Sequence, residues 1–463
     1  MIMKNIYITL GLVAGLALTS CSDFLDKEPS TALPVDEAIT SVEDLEYALN
    51  GVTYYLTVNQ MSYPSEFGVY ADLLTNEFKV IDDYGHSSPI SNYTLTKYDE
   101  IATVPYQNFY KAIANANKAL ETSATLSGDE IKNLQGQLYA WRALLHFDLA
   151  RLYAHIPSTV ASTSAADSGI PLATEVFEPD YKPTRATLAE TYNQIISDFT
   201  QAIGMLDEDN GVGYMNKWAA TALRARAYLY MGDYSNALAD ANAVINSGAY
   251  QLYTPSNYAS VWGAEGTSES ILELLINSTY NVQRYSLGYY TDSSGYPEVG
   301  LNPDGSLFTY LTSNPSDIRK TMIKDQTSSS DAPGYYPAKY PGRGSLYVNN
   351  PKIIRLSEVY LIAAEASFYL SGGAAAAPFI NEIEKNRIDG YTDVASVTID
   401  DIIFEYTKEL FAENQIAFAY WRNGKALTNQ LGQQISADNQ RAILPIPQRE
   451  IDMNTALAQN PGY

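Results

Sequence analysis

Few residues in this chain are of a type that does covalent chemistry. Among 463 residues there is one cysteine, Cys21, and three histidines, His86, His146 and His155. A single thiol forms no internal disulfide and no multi-thiolate metal site. Its position suggests another use. Cys21 closes the stretch Leu18-Thr19-Ser20-Cys21, behind a mostly apolar run from Ile6 to Leu18, and Lys4 is the only charge ahead of it. About a dozen apolar residues make a signal-peptide core and fall short of the roughly 20 that span a bilayer. Leucine, two small residues and cysteine match a bacterial lipobox. Residues 1–20 are therefore predicted to be a lipoprotein signal peptide, and Cys21 the acylated, palmitate-bearing N-terminus that holds a soluble body to a membrane surface.

Catalytic arrangements are not evident. The chain has neither a Gly-x-Ser-x-Gly elbow nor a His-Glu-x-x-His pair. His146 lies on an amphipathic stretch and His155 at its end, both positions of structural histidines. With 53 acidic residues, any two carboxylates mimic a glycosidase pair, so that signal has no specificity. Asp292-Ser293-Ser294-Gly295 and Asn302-Pro303-Asp304-Gly305 are oxygen-rich, but tight turns explain them as well as calcium does. No metal or cofactor is assigned, and a non-enzymatic role is expected.

Composition narrows the partners. Without Lys4 and the rest of the leader, 28 basic residues face 53 acidic ones, a net charge of −25. Nucleic acid and anionic lipid faces both require clustered cations and are excluded. The conspicuous resource is tyrosine, 38 residues in all. Tyrosine joins a flat apolar face to a polar tip and suits a surface that grips a partly polar ligand.

Helices must position these tyrosines. From Leu134 the residues Leu138, Trp141, Leu145, Leu149 and Leu152 recur at three- and four-residue steps until Ile156-Pro157 stops the pattern. Thr187 to Leu206 is similar. In Asn216 to Gly248 two such faces are joined at Gly232-Asp233, predicted as a C-terminal cap followed by an N-cap. This is like a tetratricopeptide unit. Tyr106–Ser123 with the Leu134 helix, and Arg355–Leu370 with Pro378–Arg387, are predicted to be further pairs. Between Tyr253 and Tyr347 the helical period vanishes, and a long functional loop is expected. Tyr280 to Tyr347 alone holds ten tyrosines, nearly twice the chain average. A second irregular aromatic stretch runs from Val80 to Tyr98.

Four segments carry a family resemblance: "CSDFLDKEPS" from Cys21, "RALLHFDLARLYAHIP" (142–157), "NPKIIRLSEVYLIAAEA" (350–366) and "ILPIPQREIDMNTALAQNPGY" (443–463). In composition and order they resemble the SusD/RagB family of Bacteroidetes nutrient-uptake lipoproteins. One segment departs. In "ELFAENQIAFAYWRNGK", Asn414-Gln415 stands where the family has Gly, and its Arg is missing. Arg355, Glu358 and Glu365 on one helix are expected to form an internal ion-pair network. Pro445, Pro447 and Pro461 are expected to hold an extended C-terminus across the helices.

The resemblance implies a mainly α, tetratricopeptide-like solenoid of helical pairs, with long irregular loops forming a ligand surface. It divides the chain into a 21–275 N-terminal region and a 276–463 C-terminal region carrying the Tyr-rich loop. It implies a glycan ligand, a SusC-like TonB-dependent transporter as partner, and attachment to the outer membrane through the N-terminal lipid. Acidic residues after Cys21 (Asp23, Asp26, Glu28) resemble a signal for the cell exterior. A peptide-binding, RagB-like uptake lipoprotein is the alternative. Family ligand contacts lie outside its motifs, so composition alone places the site, at Tyr84, His86, Asn92, Tyr93, Tyr285, Tyr289, Tyr290, Asp292 and Tyr296.

Overall fold

Ser41, Thr187 and Thr398 each start a helix with a reciprocal capping box. The hydroxyl accepts from the backbone N–H three residues on, and the acidic side chain there (Asp44, Glu190 or Asp401) accepts in return. A computed structural model describes residues 39–178 and 180–463, so Cys21 and the leader lie outside the described residues. The long helices are α1 (Val42–Thr57), α2 (Glu100–Thr122), α3 (Asp129–Tyr153), α4 (Leu188–Ile203), α5 (Lys217–Met231), α6 (Tyr234–Ser247), α7 (Leu356–Ser371), α8 (Gly373–Lys385) and α9 (Ile399–Leu410). Each of α1 to α8 packs on the next, so α7 resumes the stack on α6 although residues 248–355 intervene. This is the expected solenoid of helical pairs.

The α5/α6 turn shows why the pairs form. Gly232 adopts the left-handed conformation (φ 75°) that closes α5, and the Asp233 carboxylate accepts from the Asn236 N–H to start α6. Alanines 219, 220, 222, 225 and 227 on α5 and 237 and 241 on α6 are all buried, which allows close packing. The α8 boundary differs from expectation. It begins at Gly373, not Pro378, because four alanines in a row favour helix strongly enough to carry Pro378 in the second turn.

The Tyr253–Tyr347 stretch is not featureless. Short antiparallel ladders tie it to distant segments, β1 (Phe78–Lys79) with β3 (Gly300–Leu301) and β2 (Ser270–Glu273) with β6 (Lys352–Arg355), and a local one joins β4 (Ile323–Asp325) to β5 (Tyr335–Pro337). Local periodicity does not reveal them because their partners lie up to some 200 residues away. One hydrophobic core runs from Leu45 to Ile446, beside a smaller one among α7, α8 and α9.

An ion-pair lattice crosses the C-terminal half, with different partners from those expected. Arg355 does not pair with Glu358. It reaches Glu269, Glu409 and Glu413, while Glu358 holds Arg226 and Glu365 holds Arg422. Arg319, Arg387, Lys339 and Lys408 extend the lattice through Asp317, Glu384 and Glu405. Apart from the separate Arg226–Glu358 and Arg422–Glu365 pairs, five cations meet six carboxylates in this lattice. Burial beside Glu405 raises Glu384 to about 8, so its carboxyl keeps its proton and the charges balance five to five. Asn414, at the family's glycine position, is left-handed (φ 62°), a conformation asparagine tolerates best among non-glycine residues. Its side-chain oxygen accepts from Ala71 N–H at 2.8 Å, and its own N–H donates to Asp72 at 2.7 Å.

The C-terminus is extended over residues 444–447, at the end of α3; beyond Pro447 it turns into a short helix, Gln448–Met453, so the expected extended run is broken. Leu444 N–H donates to Leu152 O at 2.7 Å, and the Asn460 amide reaches Tyr153 O and Leu444 O. His146 is fully buried and accepts from Ala173 N–H. Burial depresses its pKa to about 3, which keeps it neutral. His155 contacts Ala437 O through Nδ1 at 3.0 Å. Both are structural.

Candidate functional site

The β1–β3 ladder brings the two aromatic segments together. Phe78 pairs with Leu301 and Lys79 with Gly300, so the chain leaving β1 toward Tyr84 runs beside the chain that enters β3 from Tyr296. Asp82 N–H donates to Pro297 O at 3.2 Å and continues the alignment. The Glu298 carboxylate then gathers the 84–87 turn by accepting backbone N–H bonds from Tyr84, His86 and Ser87. Burial raises the pKa of Glu298, and those N–H donors act in the opposite direction.

An aromatic ledge results. Tyr84 and Tyr296 have ring centroids 5.0 Å apart, Tyr285 and Tyr296 6.1 Å, and His86 stands 5.5 Å from Tyr285 and 5.9 Å from Tyr296. Tyr84 is half exposed, and His86, Tyr285 and Tyr296 are partly exposed. Arg284 donates to the Tyr296 hydroxyl at 2.9 Å and lies beside that ring. The carboxylate of Asp82 raises the pKa of the Tyr84 hydroxyl, which keeps it a donor. The ledge therefore offers ring faces bordered by hydroxyls, one guanidinium and carboxylates. It is suited to stacking and hydrogen bonding.

Four of the expected residues have other duties. Tyr290 is a correction. The one-turn helix Leu287–Tyr290, started by Ser286, points its ring inward, where it is fully buried, supports His86 and donates to Glu66. Asp292 is nearly buried and paired with Lys324 at 2.9 Å. Burial opposes its ionisation, but hydrogen bonds from Ser294 and Lys324 prevail and hold it down at about 2. It pins the 292–295 turn to β4. Asn92 accepts from Gln430 at 2.6 Å, and the Tyr93 hydroxyl donates to Leu74 O. Both secure the loop. Tyr289 lies apart from the ledge, parallel to Tyr347 at 6.5 Å. Gly295 permits the return of the chain: a Cβ there would lie 2.2 Å from Tyr289 O, where Tyr296 N–H bonds back at 2.9 Å.

Sequence reasoning missed Arg284 and Glu298. Arg284 had a signal, as the only charged residue between Glu273 and Asp292. Glu298 had none, since its role exists only once the ladder forms.

Comparison with known proteins places this geometry. A family model described as starch-binding and associating with the outer membrane matches residues 23–229, and the SusD family model matches 317–463. The chain belongs to the SusD/RagB family. A SusD superfamily protein from Bacteroides thetaiotaomicron is 30% identical, with TM-score 0.84 over 91% of this chain and 100% of its own. A proposed sugar-binding protein from Bacteroides vulgatus is 27% identical, with TM-score 0.83 over 92% and 99%. SusD-like protein P2 of Formosa agariphila is 26% identical across the whole of both chains. Family members are binding proteins associated with the outer membrane. Among the described residues no helix is long and apolar enough to cross a membrane.

Proposed function

We propose that this SusD/RagB member is a cell-surface lipoprotein that binds oligo- or polysaccharide on the Tyr84–Tyr285–Tyr296 ledge and passes it to a SusC-like TonB-dependent transporter. The observation that carries the reading is the convergence of two irregular segments, some 200 residues apart, on one partly exposed aromatic surface. Sugar rings present C–H faces to aromatic faces, and their hydroxyls find partners in Arg284, the tyrosine hydroxyls and Asp82. The relationship to a proposed sugar-binding protein supports the ligand class. Cys21 carries the lipid, the body faces the cell exterior, and the protein binds without cleaving.

The test is titration of the mature chain against arrays of neutral and acidic oligosaccharides and of peptides, with product analysis after long incubation. Saccharide binding without products is expected. Binding confined to peptides would replace the glycan by the RagB-like ligand. Turnover abolished by one carboxylate substitution would make the protein an enzyme. For the anchor, Cys21→Ser is expected to release folded protein from membranes and to abolish palmitate labelling. Retention after a salt wash in cells lacking the transporter would refute it.

A further inference from the structure

A groove lined by none of the ledge residues is built like a second ligand site. Its volume is about 500 Å³, and it lies between α1 and the loops around residues 213–214 and 274–280. Tyr47, Tyr54, Tyr214, Leu275 and Tyr280 line it, and all five are substantially exposed, a third of the fifteen large apolar side chains so exposed among the described residues. Such clustering marks a binding surface, whereas scattered exposed rings need no explanation. Tyr54 and Tyr280 meet edge to face, with centroids 6.2 Å apart. Tyr280 is preset by Asn277, whose side-chain oxygen accepts from the N–H groups of Thr279 and Tyr280, both at 2.8 Å.

The charge pattern selects the occupant. The chain has 29 basic and 53 acidic residues, yet none of the residues lining this groove is charged. A phosphate, a nucleic acid or a charged peptide would find no counter-charge there. The polar groups are instead amides and hydroxyls, those of Asn50, Thr53, Asn277 and the tyrosines. A second cavity of about 340 Å³ shares Leu49, Asn50 and Tyr214 with the groove and adds Asn133, Gln137 and Asn210, with Glu46 and Glu130. Gln137 stands one turn before Trp141 on α3, which lines the groove. It is only 3% exposed, and its side-chain oxygen has no hydrogen-bond partner among the described residues. That oxygen is sealed from the cavity, so the amide open to a ligand hydroxyl is that of Asn50, an exposed residue that lines both cavities.

We infer that the groove and its amide-lined annex form a second saccharide site, taking neutral sugar units that stack on Tyr54 and Tyr280 and direct hydroxyls toward Asn50 and the annex. The inference rests on the glycan-binding reading above. The segment that lines the groove at Leu275 and Tyr280 continues into Arg284 and Tyr285 of the ledge, so one stretch of chain carries contacts to both sites.

The test is calorimetric titration of the mature chain with maltohexaose, cellohexaose, xylohexaose and mannohexaose. Three proteins are compared: wild type, the groove variant Tyr54→Ala/Tyr280→Ala and the ledge variant Tyr84→Ala/Tyr296→Ala. Tyr54, Tyr84 and Tyr280 are about half exposed and Tyr296 is partly exposed, so thermal melts should stay near wild type. Two saccharides per wild-type chain and one per chain of either variant is the expected result. One saccharide per wild-type chain, unaltered in the groove variant, would overturn the inference and leave the ledge reading standing. No binding of any of the four by wild type, while an acidic oligosaccharide binds on the ledge, would overturn the inference and leave the ledge reading standing; no binding of any saccharide would overturn both. Unchanged saccharide binding with lost co-purification of the transporter in the groove variant would make this face a protein-docking surface and also overturn the inference.

Discussion

The buried ion-pair lattice and the aromatic ledge are assembled in the same way and used in opposite ways. Each collects residues far apart in sequence and fixes them by long-range contacts. In the lattice Arg319, Arg355 and Arg387 are fully buried, and each is surrounded by carboxylates. On the ledge Tyr84 is half exposed, and rings meet rings at 5–6 Å with outer faces open. Of the family-like motifs among the described residues, the Arg355 helix supplies the lattice, and residues 142–157 and 443–463 pack elsewhere in the scaffold. The ligand surface proposed above falls in the second. Motifs therefore report the scaffold, and the binding surface is free to vary on top of it.

The comparison breaks most visibly at Arg355. Arg355→Ala takes one buried cation from Glu269, Glu409 and Glu413, leaving Arg387, Arg319 and Lys339 to share them, and should cost roughly 3–5 kcal/mol of stability. Denaturant melts check this. A loss below 1 kcal/mol would mean that the lattice is not a structural device.

Glu384 sharpens the same region through pH. Its folded pKa of about 8 is raised above its unfolded value, so the folded state holds a proton that the unfolded state releases. The stabilisation is complete below about pH 4.5 and is lost as pH rises toward 8, at up to about 1.4 kcal/mol per unit. Glu384→Gln should flatten that decline. A wild-type and variant pair with parallel pH–stability curves from pH 5 to 8 would contradict the shared proton.

Tyr290 tests the border between the regions. Tyr290→Phe removes its bond to Glu66 and should cost roughly 1–3 kcal/mol of stability, since that buried acceptor loses a hydrogen-bond partner. Saccharide affinity should change less than twofold once the protein is folded. A large affinity loss with unchanged melting would return Tyr290 to the binding surface.

Much of this was legible before the structure. Helical period, Gly232, Asp233 and the alanines gave the pairs. Turn-rich, Tyr-rich composition marked both segments that build the ledge, and Tyr84, His86, Tyr285 and Tyr296 do meet. What composition could not resolve was orientation. Tyr289 and Tyr290 are neighbours with identical side chains, yet Tyr290 is buried and Tyr289 partly exposed, because Ser286 starts a single helical turn there. Asp292 looked like a ligand contact and is spent on Lys324, a partner 32 residues away. Glu298 and the β1–β3 ladder were invisible because each is defined by residues more than 200 positions apart.

The smallest effect in energy tests the central claim most directly. Tyr84→Ala and Tyr296→Ala should each weaken oligosaccharide binding by about 1 kcal/mol, roughly fivefold, with melting temperature nearly unchanged because the lost rings are at least partly exposed. Calorimetric titration paired with thermal melts reads both quantities on the same samples. Reduced affinity with preserved melting is the predicted result. Unchanged affinity for every oligosaccharide that wild type binds, with lowered melting for both variants, would contradict it and return these rings to the scaffold.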